Sequence, residues 1–310
     1  MTKRRRAATT LQTILSRSHA LRALHRQVVF FPRWLAKTLT SLLYRRGIAL
    51  SVSRVAKSPA AEFVSRFRDQ YVSTELIRVG PNGDGGYLMP DVAALLDATF
   101  SPGVGESALF EADLWARANI PSFLADATVE TPHNLPPNAL FRPFVIGASP
   151  DPNFVTLSEW VNSSVPESHN NLLLQMDIEG GEYNVLAYED SNFLRRFAVI
   201  IVEFHAMRQV GDAISCGVVG GIFEKLYRDF AIVHAHPNNC CRDLRINGVR
   251  VPDVLEVTFL RRDLLSGFAS PNPIRLPHPL DFPNVSWRSA PALSEAWWMP
   301  PTSSPVTESF

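Results

Sequence analysis

Cysteine is scarce in this 310-residue sequence: Cys216 and the neighbours Cys240 and Cys241 are the only three. They offer neither an even disulfide framework nor a CxxC metal pair, which fits free thiols in a reducing, cytoplasmic setting. Long uncharged runs are missing too. No stretch without Asp, Glu, Lys or Arg exceeds twelve residues, residues 230–241 being one of that length, whereas a bilayer-crossing helix needs about 20. A secretory signal is not expected, because Arg17, Arg22, Arg26, Arg33 and Lys37 interrupt the apolar residues near the start. No internal repeat is evident.

Acidic residues are absent from residues 1–61, which hold thirteen Lys and Arg; the rest of the chain has seventeen basic and thirty acidic residues. The net charge of zero is therefore a basic arm set against an acidic body. Leu11, Ile14, Leu15, Leu21, Leu24 and Val28, then Phe31, Trp34, Leu35, Leu39 and Leu42, recur near helical spacing. That pattern predicts amphipathic helices with basic faces. Peripheral contact of residues 1–57 with an anionic membrane is the sharper expectation. An accessory extension of the main domain or an organellar transit peptide would show the same pattern. Nucleic acid is not the expected partner, since no reading module follows the arm. At the other end, residues 271–310 hold nine of the twenty-four prolines with Trp287, Trp297 and Trp298, and should form an extended tail that wraps the body or hangs free. The expected organisation is thus an arm (1–61), a domain (62–270) and a tail (271–310).

The domain reads as alternating strands and helices. Strands are expected at 76–79, 87–89, 98–101, 122–125, 140–146, 172–177, 198–204, 231–234 and 254–260, and helices at 62–72, 107–118 and 157–161. This alternation predicts an α/β fold with a mainly parallel sheet covered on both faces. In such sheets ligands bind beyond the carboxyl ends of the strands.

Two constellations lie at those ends. Gly103-Val104-Gly105-Glu106-Ser107-Ala108 follows a strand and opens a helix, and Asp126 ends the next strand. Glycines there let the backbone approach a cofactor, and an acid so placed can accept ribose hydroxyls. Both a nicotinamide dinucleotide and S-adenosylmethionine satisfy the pattern, and a plain glycine turn with Asp126 capping a loop is the bland alternative. The second constellation is Asp177-Ile178-Glu179-Gly180-Gly181-Glu182 after an apolar strand, then Glu203-Phe204-His205, then His234-Ala235-His236-Pro237-Asn238-Asn239. Carboxylates and imidazoles ending successive apolar strands suit binding or proton transfer. Glu182 alone is read as capping the next helix, and Asn238-Asn239 can be a turn pair.

Taken in order, Asp84-Gly85-Gly86-Tyr87, Ser101-Pro102-Gly103-Val104-Gly105, Phe110-Glu111, Asp126-Ala127-Thr128, Asp177-Ile178-Glu179-Gly180, Glu203-Phe204-His205, the histidine and asparagine cluster and Pro252-Asp253-Val254-Leu255-Glu256 resemble the FkbM-like methyltransferases. The resemblance spans about residues 75–285. It implies a Rossmann-like class I methyltransferase fold, with a seven-stranded, mostly parallel sheet whose last strand is antiparallel. It also implies S-adenosylmethionine as donor, Gly103 and Gly105 under its methionine part, Asp126 on its ribose, and O-methylation of a sugar, lipid or secondary metabolite. Pro102 stands where the family commonly has a small or aromatic residue, and no adenine-side acid is evident near residues 147–151.

An unactivated hydroxyl needs help to lose its proton. His205 or His234 could act as base with Glu203 or Asp177 orienting the imidazole, or Asp177 and Glu203 could hold a divalent ion such as Mg or Mn. An NAD(P)-dependent oxidoreductase and a non-catalytic cofactor- or glycan-binding module are the alternative functions.

Overall fold

A computed structural model of the chain describes residues 59–148, 154–246, 248–289 and 292–299, all within the compact unit Arg54–Phe310. Residues 1–58 of the basic arm lie outside the described residues, as does most of the 147–151 segment.

Uninterrupted apolar runs become the middle of one sheet. Strands β3 (Ala98–Pro102), β4 (Ser122–Ala125), β5 (Ala139–Arg142), β8 (Leu172–Met176), β9 (Phe197–Phe204), β10 (Phe230–Pro237) and β13 (Leu255–Arg261) form seven strands in the order β10-β13-β9-β8-β3-β4-β5. Neighbours from β5 to β9 run parallel, and β13 is antiparallel to both β9 and β10. Every residue of β8 and β9 is buried, as expected of central strands covered on both faces.

Alternation along these strands feeds two apolar layers. Leu172, Leu174, Ile200 and Val202 face helices α1 (Pro59–Asp69), α3 (Leu157–Ser164), α4 (Glu182–Tyr188) and α6 (Ala213–Asp229). Leu173, Val199 and Ile201 face α2 (Leu109–Ala118) and the hairpin of β1 (Ile77–Val79) and β2 (Tyr87–Met89). The described residues therefore form an α/β sandwich around a mostly parallel sheet. Among the described residues no helix is long and apolar enough to cross a membrane.

Three differences from expectation have local causes. The strand expected at 140–146 splits at Pro143, which has no N–H for the ladder; after it, β6 (Val145–Ile146) leaves the main sheet and pairs with β7 (Phe154–Val155). The first helix starts at Pro59, ahead of Glu62, proline being well suited to an opening turn. Helix α6 was not expected. Gly217, Gly220 and Gly221 dilute its propensity, but Val219, Ile222, Phe223 and Leu226 are buried on one face and Asp212 accepts the amides of Ile214 and Ser215 at its start.

The described part of the tail, residues 271–289 and 292–299, packs on the body without adding a helical layer. Trp297 is fully buried, with its ring 5.1 Å from Phe67 and 6.1 Å from Phe63, and its Nε1 donates to the Arg250 carbonyl at 2.8 Å. Asn239 holds the tail from the sheet side: its Nδ2 donates to the carbonyls of Val285 and Ser289, and its Oδ1 accepts the Val285 amide.

Candidate functional site

The glycine turn and the acidic rim share a wall. Gly103 has φ +80°, and a Cβ there would lie 1.6 Å from the Asp177 carbonyl oxygen, so only glycine allows β3 and β8 to end this close together. The Asp177 amide donates to the Pro102 carbonyl at 3.2 Å, which ties the same two ends. Gly105, at φ +63°, faces open space. Beyond these ends lies a cleft of about 670 Å³ lined by the glycine turn, the first turn of α2, Asp126 to Thr128, Phe144 to Ile146, Gln175, Asp177 and Glu179.

Asp126 faces this cleft while fixing its floor. Its Oδ2 accepts the Gly105 amide at 2.9 Å, and its Oδ1 accepts the amide and hydroxyl of Thr128 at 2.7 and 2.6 Å. The capping role and the cleft-facing position coexist in one side chain.

The cleft is also one-sided in charge. Asp84, Glu106, Glu111, Asp126, Asp177 and Glu179 line it, with no lysine, arginine or histidine among the described residues of its lining. Such a lining favours a cationic ligand and repels phosphates.

At the Asp177 end, β9 delivers two more groups. His205 Nε2 lies 3.9 Å from Asp177 Oδ1, 3.6 Å from Glu203 Oε1 and 3.4 Å from Glu179 Oε2. Its Nδ1 lies 3.0 Å from Glu182 Oε1, a residue with no exposure, which also accepts the amides of Ile178 and Gly180. Glu182 therefore does not cap the helix that it opens, the role expected from its position, but ties the preceding turn and fixes the imidazole. Glu203 accepts Asn238 Nδ2 at 3.0 Å, so Asn238 does more than turn the chain.

Crowding these acids away from water changes their protonation. Burial first, with Glu179, Glu182 and Asp84 adding to it and His205 opposing it, pushes the Asp177 carboxyl up to about 7. Burial, Glu256 and Asp177 push Glu203 well above the usual carboxylate range. Burial alone would depress His205, but the hydrogen bond and charge of Glu182, with Asp177 and Glu179, more than reverse that and raise it.

One atom each of Asp177, Glu203 and His205 lie within 4.8 Å of one another, a donor set of two carboxylates and an imidazole that suits a divalent cation. Asp177 Oδ1 has no hydrogen-bond partner although buried. The residues present therefore fit a metal ion as well as an imidazole base.

His234 is placed elsewhere. It sits two residues below the rim on β10, with Nε2 3.0 Å from Asp281 Oδ1, and lines a separate cavity of about 420 Å³ with Tyr71 and His278. His236 lies 3.5 Å from Asp281 Oδ2 and pairs across the sheet with Glu256, which in turn pairs with Glu203. The structure thus brings together Asp177, Glu203 and His205 but not His234. Glu256 and Asp281 have no site role in the sequence reading, although both stand in motifs that carry the family resemblance, Pro252 to Thr258 and Leu280-Asp281-Phe282-Pro283-Asn284. Glu256 is an acid inside the apolar run 254–260, whereas Asp281 lies in a proline-rich tail where no local pattern ties it to the histidines of β10.

Burial would raise the Asp281 carboxyl, yet the neighbouring imidazoles His234 and His236 outweigh it and hold it far below the ordinary value. Burial would lower His236, but the charges of Asp281 and Glu256 raise it. The pair's stabilisation is therefore complete between the ordinary values of 3.8 and 6.5. It is lost above that window as His236 releases its proton at its raised pKa, and below it as Asp281 gains one at its depressed pKa. Asp281→Asn is expected to cost about 3 kcal/mol, as for one partner of a buried pair, and to flatten this profile. Denaturant unfolding from acid to alkaline pH checks it; an unchanged profile would contradict the assignment.

Residues 129–217 match the family model described as Methyltransferase FkbM domain. The match covers the Asp177 turn, Glu203 and His205. It supports the FkbM-like methyltransferase family, and with it methyl transfer as the class of reaction. No curated protein matches the chain.

Proposed function

We propose that this FkbM-like methyltransferase takes its methyl group from S-adenosylmethionine and delivers it to a hydroxyl of a small-molecule or glycan acceptor, on a class I methyltransferase fold. The observation that carries the donor is the acid-only cleft beyond the glycine turn. S-adenosylmethionine is cationic at sulfur and at its amino group, whereas a nicotinamide dinucleotide brings a pyrophosphate into a lining with no basic residue among those described. This favours the methyl donor over the oxidoreductase alternative, which shares the turn and Asp126.

When bound, S-adenosylmethionine supplies a methyl group already activated by its sulfonium. The chain's part is to hold the acceptor oxygen in line and to deal with its proton. Gly103 and Gly105 give the backbone close approach, and Asp126 offers its remaining lone pairs to ribose hydroxyls. Asp177, at the wall shared by cleft and rim, marks where donor and acceptor meet. In the base reading, Glu182 accepts the Nδ1 proton of His205 and leaves Nε2 free to take the acceptor's proton. In the metal reading, Asp177, Glu203 and His205 would hold a divalent ion, which supplies a Lewis acid that makes a hydroxyl more acidic.

Two experiments test the proposal. Methyl-labelled S-adenosylmethionine incubated with screened sugar, lipid and phenol acceptors should label an oxygen; label on nitrogen only would overturn the acceptor class. Asp126→Ala should weaken donor binding roughly ten- to hundredfold, the loss of hydrogen bonds to a charged acceptor, with folding retained. Equal affinity in titration calorimetry would remove Asp126 from the site.

The basic arm, residues 1–57, completes the proposal as a peripheral membrane contact of a cytoplasmic enzyme, on its charge and amphipathic pattern. Equal binding of anionic vesicles by the full chain and by a chain lacking those residues would reject it.

A further inference from the structure

Glu111 sits in the first turn of α2, within the lining of the donor cleft, and is 1% exposed. Neither carboxylate oxygen has a hydrogen-bond partner, and the Ser101 hydroxyl at the end of β3 is likewise buried and unpartnered. The Ser101 hydroxyl and the residue's own amide are near enough to offset part of the burial that raises the Glu111 carboxyl, without meeting hydrogen-bond geometry. A carboxyl this deep is costly unless something answers it. Among the described residues no basic side chain lines the cleft to do so.

Its position limits what can answer. The turn before α2 is where a dinucleotide fold seats a pyrophosphate, on free amides at a helix N-terminus. Here that place carries Glu106 and Glu111, so an anion is opposed and a compact cation is favoured. An ammonium offers three donors, enough to engage both oxygens of a carboxylate and a neighbouring hydroxyl.

We infer that Glu111 receives the cationic amino group at the amino-acid end of the methyl donor, with Ser101 beside it, and thereby selects that donor against dinucleotides and against adenosine thioethers that lack the amino acid. The inference rests on the donor reading above. Glu111 is a binding and specificity residue in it, separate from the rim of Asp177, Glu203 and His205.

Titration calorimetry on the full chain tests it, using S-adenosylhomocysteine, its analogue lacking only the amino group, and methylthioadenosine. Glu111→Gln, which keeps the shape and removes the charge, is expected to weaken S-adenosylhomocysteine roughly ten- to hundredfold and to leave methylthioadenosine unchanged. Unmodified protein should bind the deaminated analogue more weakly by a similar factor, a result that needs no variant to fold. Equal binding of S-adenosylhomocysteine and the deaminated analogue would overturn the inference. So would an equal loss for both thioethers in Glu111→Gln, which would mark a structural role such as a neutral acid bonded to Ser101. Failure of the unmodified protein to bind any of the three would sink the donor reading and this inference together, whereas normal binding indifferent to Glu111 sinks the inference alone.

Discussion

Replacing His205 with alanine is expected to slow methyl transfer by about 10² to 10⁴-fold while leaving donor affinity nearly intact, the usual contribution of a positioned acid or base. His205 directly follows β9, beside Asp177 of the cleft lining, and is held from behind by the fully buried Glu182. Glu182→Gln should cost about 10- to 100-fold, as the loss of a group that orients a functional imidazole does. The raised pKa of His205 sets the sign of the pH profile: activity climbs with pH as the imidazole loses its proton. A chelator separates the two readings of the same cluster. With a bound metal, chelation silences the unmodified protein reversibly, and Asp177→Asn or Glu203→Gln loses activity together with metal content. With an imidazole base, the chelator changes nothing and His205→Ala still fails. Full activity under both treatments would remove this cluster from proton handling altogether.

Trp297→Ala is expected to destabilise the fold by about 3 to 5 kcal/mol, the range for deleting a buried aromatic side chain. The ring fills a gap between α1 and the residues around β12 (Val249–Val251), edge-on to Phe63 and Phe67, and its indole nitrogen answers the Arg250 carbonyl. Truncation therefore removes apolar area, leaves a cavity and orphans an acceptor. Denaturant unfolding measures the loss; a change under about 1 kcal/mol would mean that the tail does not anchor on α1. Trp287, 84% exposed, is the control whose replacement should be nearly neutral.

Much of this architecture is legible in the sequence because each central strand is a short apolar run ended by a polar residue. Ser122–Ala125 and Tyr87–Met89 have the expected bounds, and Asp177, Glu203 and His205 converge because β8 and β9 are adjacent and parallel. What stayed hidden depends on contacts distant in sequence. Whether His234 reaches the rim depends on how far β10 runs past it, to Pro237, and on a tail residue, Asp281, that claims the imidazole. Glu182 shows a capping position locally, but its bond to His205 spans 23 residues. Glu111 stands beside Phe110 among the buried residues of α2, an acid among apolar neighbours whose lack of a hydrogen-bond partner emerges only in the folded chain.

The measurement closest to the central claim is a calorimetric titration of the unmodified full chain with S-adenosylmethionine and, separately, with oxidised and reduced nicotinamide dinucleotides. The acid-only cleft predicts saturable one-site binding of S-adenosylmethionine, weakened in Asp126→Ala, and no measurable heat from either dinucleotide. Saturable binding of a dinucleotide with none of S-adenosylmethionine would contradict it.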